Sequence, residues 1–152
     1  DVFRFAIRIE EDGEIFYRRA ALTAEEKEVT DLFNRLAGEE VLHKKTFQDL
    51  LTQIEEEPPR ETYQGEYMAY LKDYIDNKVV FSKDAKAGQQ EVHDALSAIE
   101  FALGRELDSI LYYQEVKQFV PPRQHGLIDK IIGEERRHVA ILGEVRKKFQ
   151  KS

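Results

Sequence analysis

Apolar side chains recur every three or four positions along four stretches of the chain, the spacing that places them on one face of an α-helix. The pattern predicts helices over about 2–22, 24–56, 89–119 and 122–149. The first two stripes contain Phe3, Ala6, Glu10, Gly13, Tyr17 and Ala20, and Val29, Phe33, Leu36, Glu40, His43, Phe47, Leu50 and Ile54. The last two contain Val92, Ala95, Ile99, Ala102, Glu106, Ser109, Tyr113, Val116 and Val120, and Ile128, Ile131, Glu135, His138, Leu142, Val145 and Phe149. Every stripe is interrupted near its middle by a glutamate, alone or with a histidine.

Proline and capping signals separate these helices. The prolines at 58–59 end the second helix, and those at 121–122 separate the third from the fourth, because proline cannot continue a helix interior. Thr23, followed three residues later by Glu26, has the pattern of a capping box. It predicts that the second helix begins directly after Thr23.

The segment of about 57–88 joins the second helix to the third. A short amphipathic helix near 65–78 is predicted within it from Tyr67, Leu71, Tyr74 and Ile75. Antiparallel neighbours need only a short connection, whereas this segment is long enough to run the length of a bundle. The predicted fold is therefore all-α: a ferritin-like four-helix bundle of two antiparallel helix hairpins, joined by a long crossover that contains a short helix.

The two hairpins are copies of one unit. Residues 6–17 align with 102–113, and residues 38–43 align with 133–138, where both copies read Gly-Glu-Glu-x-x-His. The offsets of the two alignments differ by one residue, which a turn can absorb. Such a duplication makes the Glu-x-x-His spacing far more informative than a single copy, because glutamate is abundant in this chain.

In an antiparallel hairpin, residues equally far in sequence from the turn lie side by side, at the same height along the bundle axis. The polar stripe residues of the two helices therefore match in height if the turn falls midway between them. In the second hairpin that midpoint falls on the prolines at 121–122. In the first it falls near residue 26, a few residues beyond the turn predicted at 22–23. Both hairpins thus place their polar stripe residues near the middle of the bundle.

Six ionisable residues on the stripes are the candidate site: Glu10, Glu40, His43, Glu106, Glu135 and His138. In Glu-x-x-His both side chains share one helix face. Four core-facing carboxylates would repel one another and take up protons, whereas two divalent cations would balance their charge. Mixed carboxylate and imidazole ligands suit iron or manganese better than structural zinc. The alternative is a metal-free bundle with buried Glu–His hydrogen bonds, which gain little over an apolar core.

Composition narrows the class of protein. The 152 residues include no cysteine, which excludes disulfides and cysteine-ligated metal sites within them, and leaves the cytoplasm as the expected location. The net charge of −7 disfavours nucleic-acid binding. No apolar run approaches the ~20 residues of a membrane span, and no signal peptide is evident. Because the chain begins with Asp1 rather than Met, a few native residues are expected to precede it.

One Glu from each of two helices and Glu-x-x-His from each of the other two is the ligand pattern of di-iron and di-manganese carboxylate bundles. On these residues the chain resembles the rubrerythrin branch of the ferritin-like superfamily, as a stand-alone ferritin-like domain over 1–152. The resemblance implies two iron ions, with manganese or a mixed pair as the alternative. It implies terminal carboxylates at Glu10 and Glu106, bridging carboxylates at Glu40 and Glu135, and imidazole ligands at His43 and His138.

The resemblance also implies a function: a di-iron oxidoreductase acting with oxygen or peroxide, of ferroxidase, peroxidase or oxidase type. The alternatives are a non-catalytic metal-binding protein for iron storage or sensing, and a structural bundle with a relic polar stripe. Two departures bear on peroxidase activity. Ser109 stands where rubrerythrins have a further glutamate, and no cysteine is present for a rubredoxin site, so a separate electron donor is expected. A homodimer fits the family, although the sequence carries no interface signal.

Residues next to the stripes leave alternatives open. Tyr17 and Tyr113, each two turns beyond a ligand glutamate, either hydrogen-bond to a ligand, act as redox-active phenols, or are core aromatics satisfied locally. Glu39 and Glu134 point off the stripes, so a solvated surface position is favoured over contact with a ligand. Gly13, like Ser109, either leaves room for oxygen or peroxide or allows close helix packing.

Overall fold

The computed structural model describes residues 2–55 and 94–150. Within these residues the chain forms four long α-helices and no strand: α1 (Val2–Thr23), α2 (Lys27–Glu55), α3 (Ala95–Val116) and α4 (Pro122–Gln150), with a 3-10 turn at Lys117–Phe119. The prediction of an all-α four-helix bundle is confirmed. The short helix predicted near 65–78 lies outside the described residues. None of the described helices has the combined length and apolarity of a membrane span.

The turn of the first hairpin lies later than the capping signal predicted. Thr23 is the last residue of α1, where its hydroxyl donates to the Ala20 carbonyl at 3.2 Å, so the predicted N-cap is wrong. The Ala24 amide also donates to Ala20, at 3.1 Å, and extends the hydrogen-bonding of α1 past Thr23. Helix α2 begins at Lys27. The turn therefore falls at 24–26. This agrees with the midpoint near residue 26 that was expected if the polar stripe residues of α1 and α2 lie at matching heights.

The third helix starts later than its apolar stripe suggested. Asp94 has an extended backbone and caps α3, because its carboxylate accepts a hydrogen bond from the Ser97 amide at 2.7 Å. The start predicted near residue 89 is therefore corrected to Ala95, and Val92 lies outside the described residues. At the other end α3 tightens into the 3-10 turn at Lys117–Phe119 rather than continuing as an α-helix to 119.

Each hairpin packs as an antiparallel pair, α1 against α2 and α3 against α4. Between the hairpins, α1 lies beside α3. Tyr17 contacts Glu106 and Tyr113 contacts Glu10, so later residues of α1 meet earlier residues of α3. Helices α1 and α3 therefore run antiparallel.

Helix α2 lies beside α4 and also runs antiparallel to it, since Lys148 pairs with Glu28 and His43 contacts Glu134. Because α1 is antiparallel to both α2 and α3, the latter two run parallel. Helix α3 thus begins at the end of the bundle opposite to the end of α2. This is the one-crossover arrangement that the length of the connection predicted.

The buried apolar residues of the described helices form one cluster at each end of the bundle. One contains Phe3, Phe47, Tyr113 and Ile128, and the other contains Tyr17, Phe33, Ile99 and Leu142, among others. Val139 packs against both. The glutamates and histidines of the stripes lie between the clusters, where apolar walls keep water away and strengthen every electrostatic interaction.

Candidate metal centre

The structure brings all six predicted site residues together. Each is at most 5% exposed. Their ligand atoms form two groups, in each of which the atoms lie within 4.8 Å of one another: Glu10, Glu40, His43 and Glu135, and Glu40, Glu106, Glu135 and His138. Glu40 and Glu135 belong to both groups, which is the placement expected of carboxylates that bridge two ions. The assignment of these six residues as metal ligands stays a prediction.

The two imidazoles face each other across the centre. Their rings are stacked, with centroids 5.9 Å apart. Nδ1 of His43 lies 2.8 Å from Glu135 Oε1 and 3.6 Å from Glu10 Oε2. Nδ1 of His138 lies 3.4 Å from Glu106 Oε1 and 3.9 Å from Glu135 Oε2. Both Nδ1 atoms are therefore directed toward the carboxylates.

The outer ring nitrogens contact the two glutamates that precede the candidate ligands. His43 Nε2 donates to Glu134 Oε2 at 2.5 Å, and His138 Nε2 donates to Glu39. The expectation of a solvated surface position for Glu39 and Glu134 is wrong. Each of them directly precedes a stripe residue and is turned toward the adjacent antiparallel helix at the α2–α4 interface. The Glu39 side chain is 33% exposed and the Glu134 side chain is 26% exposed.

These contacts have a chemical consequence. A carboxylate that accepts a hydrogen bond from Nε2–H fixes the tautomer and ring orientation, and leaves the Nδ1 lone pair for a metal. The contacts follow the internal repeat, since the histidine of each hairpin is oriented by the glutamate of the other. Sequence periodicity could not show this, because the partner depends on how α2 and α4 are aligned.

Two tyrosines form a similar reciprocal pair of hydrogen bonds between α1 and α3. The Tyr17 hydroxyl donates to Glu106 Oε1 at 2.5 Å, and the Tyr113 hydroxyl donates to Glu10. Both tyrosines are fully buried. Burial and the charge of the acceptor carboxylate raise the pKa of each phenol well above its ordinary value, so both remain hydrogen-bond donors. Of the alternatives for these tyrosines, the structure shows the hydrogen bond to a candidate ligand.

Without a metal, the centre retains protons. Burial and the negative charge of Glu10 raise the pKa of the Glu40 carboxyl well above its ordinary value. Burial alone would lower the pKa of His43, but Glu10 and Glu134 beside the ring raise it to about 9. The pKa of His138 is also raised, because Glu106 and Glu39 outweigh the effect of burial. Protons thus balance part of the negative charge that a metal pair would balance.

The hydrogen-bonding of the centre fits a metal pair. Within the described residues, several buried atoms of the centre form no hydrogen bond of good geometry, although His43 Nδ1 and Glu135 Oε1 lie only 2.8 Å apart: Glu10 Oε2, His43 Nδ1, Glu106 Oε2, Glu135 Oε1 and His138 Nδ1. Buried polar atoms that lack good hydrogen bonds are costly. Carboxylate oxygens and imidazole nitrogens are ligands that iron and manganese accept. Cations at the centre would satisfy these atoms without rearranging the helices.

Arg105 is a buried charge at the centre that the stripes did not reveal. It is 7% exposed, and its guanidinium lies beside Gly13, close to Glu40. A Cβ on Gly13 would lie 2.9 Å from Glu40 Oε2, so the space at Gly13 is occupied by protein atoms. The Ser109 hydroxyl donates to the Arg105 carbonyl at 2.9 Å within α3. One signal was available: the repeat aligns Arg105 with the apolar Ile9.

The family of the chain follows from its sequence profile. The family model described as Rubrerythrin matches residues 1–145. The chain belongs to the rubrerythrin family. The match spans both hairpins and all six candidate ligands, so the resemblance found in the motifs is confirmed. No curated protein and no solved structure matches the chain significantly. Membership in the rubrerythrin family implies a di-iron carboxylate protein, and the buried Glu/His cluster can hold metal.

Proposed function

We propose that this rubrerythrin-family protein is a di-iron oxidoreductase that acts with oxygen or peroxide. The observation that carries the proposal is the pair of overlapping four-residue groups sharing Glu40 and Glu135. The shared carboxylates would hold two ions close enough to act on one small molecule, and Glu10 and Glu106 would each complete one of the two positions. When bound, iron supplies the electrons that reduce the oxidant.

The residues of the chain would bind the metal ions, orient the ligand side chains and keep bulk water out of the centre. Glu134 and Glu39 keep the Nδ1 atoms of the two histidines directed inward, and the buried tyrosines donate hydrogen bonds to Glu106 and Glu10. The apolar clusters on both sides exclude bulk water. Fe(II) itself, peroxide or an organic molecule are the candidate substrates. These 152 residues contain no cysteine, so electrons for reductive turnover would come from a donor outside them.

Ser109 bears on the type of activity. Its hydroxyl donates a hydrogen bond to the Arg105 carbonyl within α3. A serine cannot provide the carboxylate that rubrerythrins have at this position. The proposal is therefore oxygen or peroxide chemistry at a six-ligand centre, without assigning the full rubrerythrin peroxidase reaction.

The test is anaerobic loading with Fe(II), followed by oxygen or peroxide. We expect two irons per chain and rapid oxidation. Two irons without reaction would favour the alternative function in iron storage or sensing, and no bound metal of any kind would reject the metal centre. Glu40→Ala and Glu135→Ala should each strongly impair iron binding. The matched control is Glu144→Ala, because Glu144 is 73% exposed on α4; it should bind iron as the wild type does.

A further inference from the structure

Arg105, close to the candidate metal centre, departs from the internal repeat. Arg105 on α3 corresponds to Ile9 on α1, and its Nη2 donates to the carbonyl of that same Ile9 at 3.1 Å. The guanidinium carbon lies 5.9 Å from the centroid of the Phe16 ring. A guanidinium buried to this extent is costly unless it lies near negative charge, so its surroundings decide its role.

The charge of Arg105 acts on the carboxylates of Asp12 and Glu40, and of these two Glu40 is the candidate ligand. A Cβ built on Gly13 would lie 2.9 Å from Glu40 Oε2 and 3.1 Å from Arg105 Nη1, so both groups border the volume that the missing side chain leaves. The repeat aligns Gly13 with Ser109 and Arg105 with Ile9, so neither the glycine nor the arginine has an equivalent in the opposite hairpin.

Glu135, the counterpart of Glu40, is placed differently. Its Oε1 lies 2.8 Å from His43 Nδ1 and its Oε2 lies 3.9 Å from His138 Nδ1, so its two oxygens face one imidazole each. Glu40 instead directs Oε2 toward the space bordered by Gly13 and Arg105. Two carboxylates that the repeat makes equivalent are therefore unequal in the fold.

We propose that Arg105 is a positioning residue that, with the space left at Gly13, holds one oxygen of Glu40 and so makes Glu40 and Glu135 unequal ligands. With metal bound, Glu135 would be the shared carboxylate that faces both imidazoles, and Glu40 would be the one supported by Arg105. Arg105 and Glu40 border the space at Gly13 in the metal-free fold. The consequence of this placement for metal binding rests on the proposed function, so the placement and its consequence are tested separately.

The first experiment uses metal-free protein in a chelator and needs no activity. Urea unfolding of wild type, Arg105→Gln, Glu40→Gln and the double variant gives the coupling between the two side chains. We expect the unfolding equilibrium constants to couple by at least about fivefold, as is usual for groups in contact. The matched cycle of Arg105→Gln with Glu135→Gln should couple by less than about twofold. Equal coupling in both cycles, or none with Glu40, would overturn the proposal.

The second experiment measures anaerobic Mn(II) binding from the electron paramagnetic resonance of free Mn(II). Gly13→Ala places a methyl group against Glu40 Oε2, so we expect it to weaken binding of at least one ion about tenfold or more, the usual cost of disturbing the support of a ligand. The control is Ser109→Ala at the equivalent position, which should stay within about threefold of wild type. Arg105→Lys, which keeps the charge, should bind Mn(II) more like wild type than Arg105→Gln does.

The two proposals fail in distinguishable ways. A wild-type protein that binds neither Mn(II) nor Fe(II) rejects the proposed function, while the metal-free cycle still decides whether Arg105 holds Glu40. Equal effects of Gly13→Ala and Ser109→Ala on Mn(II) binding reject the unequal roles of the two carboxylates. If Arg105→Gln does not fold, the Gly13→Ala and Ser109→Ala pair provides the test.

Discussion

At the scale of single residues, the centre depends on side chains that hold the candidate ligands. His43 and His138 each donate a hydrogen bond to a glutamate of the other hairpin, and Glu106 and Glu10 each accept one from a tyrosine of the other hairpin. A ligand held in place by a hydrogen bond loses little freedom when metal binds. The surrounding residues should therefore affect metal affinity nearly as strongly as some ligands do.

The glutamates that orient the imidazoles give the first prediction at this scale. Glu134→Gln replaces the carboxylate beside His43 Nε2 with a neutral amide, which weakens the hydrogen bond and lowers the basicity of the ring. We expect metal affinity to fall about 10- to 100-fold. Anaerobic Mn(II) titration measures it, with the exposed Glu144→Gln as control. Wild-type affinity in Glu134→Gln would show that the contact does not support the imidazole.

The buried tyrosines give the second prediction at the scale of single residues. Tyr17→Phe removes the donor to Glu106 without changing the shape of the aromatic core. A hydrogen bond to a charged group contributes about 1.5–3 kcal/mol, and we expect the metal-free protein to lose stability of that order. Urea unfolding in a chelator measures the loss. By the repeat, Tyr113→Phe should cost a similar amount, and a loss in one variant alone would contradict the equivalence of the two contacts.

At the scale of elements, helix ends follow local hydrogen bonds more closely than apolar stripes. Thr23 belongs to the end of α1 because its hydroxyl and the Ala24 amide both donate to Ala20. Helix α3 starts where Asp94 caps it, well inside the range that the apolar pattern suggested. Stripe residues identify which face is buried, but they carry little information about where the helix ends.

The cap of α3 can be tested directly. Asp94→Ala removes the acceptor of the Ser97 amide, leaving an unpaired donor in the first turn. We expect the free energy of unfolding to fall by about 1 kcal/mol, the usual effect of losing such a cap. Thermal or urea unfolding measures it. Glu100→Ala, an exposed position inside the same helix, is the control and should leave stability nearly unchanged.

At the scale of the whole molecule, the candidate centre joins the hairpins. Ligands come from all four helices, and the supporting hydrogen bonds run between α1 and α3 and between α2 and α4. Metal bound there would stabilise the bundle, by about 2.7 kcal/mol at a hundredfold excess over the dissociation constant. Glu40→Ala, which removes a shared ligand, should abolish most of this gain.

Stability should depend on pH differently with and without metal. The pKa of His43 rises from an ordinary 6.5 to about 9 in the fold, so its contribution is complete below pH 6.5 and lost as pH rises through 9. The raised pKa of Glu40 acts in the same direction, because its neutral form is favoured. We expect the melting temperature of metal-free protein to fall between pH 6.5 and 9.

Bound metal competes with these same protons, so its affinity should increase over that range. The gap in melting temperature between anaerobic Mn(II)-loaded and metal-free protein should therefore widen as pH rises. Thermal unfolding at several pH values, with and without metal, measures both trends. A constant gap would show that the protons on His43 and Glu40 are not displaced by metal.

Periodicity and duplication were enough to predict the bundle and the six residues of its centre. An amphipathic helix in water buries its apolar stripe, so any residue on that stripe must face the core whatever the details of packing. Glu10, Glu40 and His43 and their copies lie on the stripes and are buried as expected. The length of the connection likewise implied parallel α2 and α3.

Only the tertiary structure revealed the residues that lie beside the stripes. Glu39, Glu134 and Arg105 are each one position away from a candidate ligand, where a side chain can face either solvent or the neighbouring helix. Which of these it faces depends on the relative rotation and alignment of two helices distant in sequence, and no local pattern encodes that. The same holds for Glu40 and Glu135, which are equivalent in the repeat but placed differently in the fold: Glu40 borders the space beside Gly13 and Arg105, and the oxygens of Glu135 face the two imidazoles.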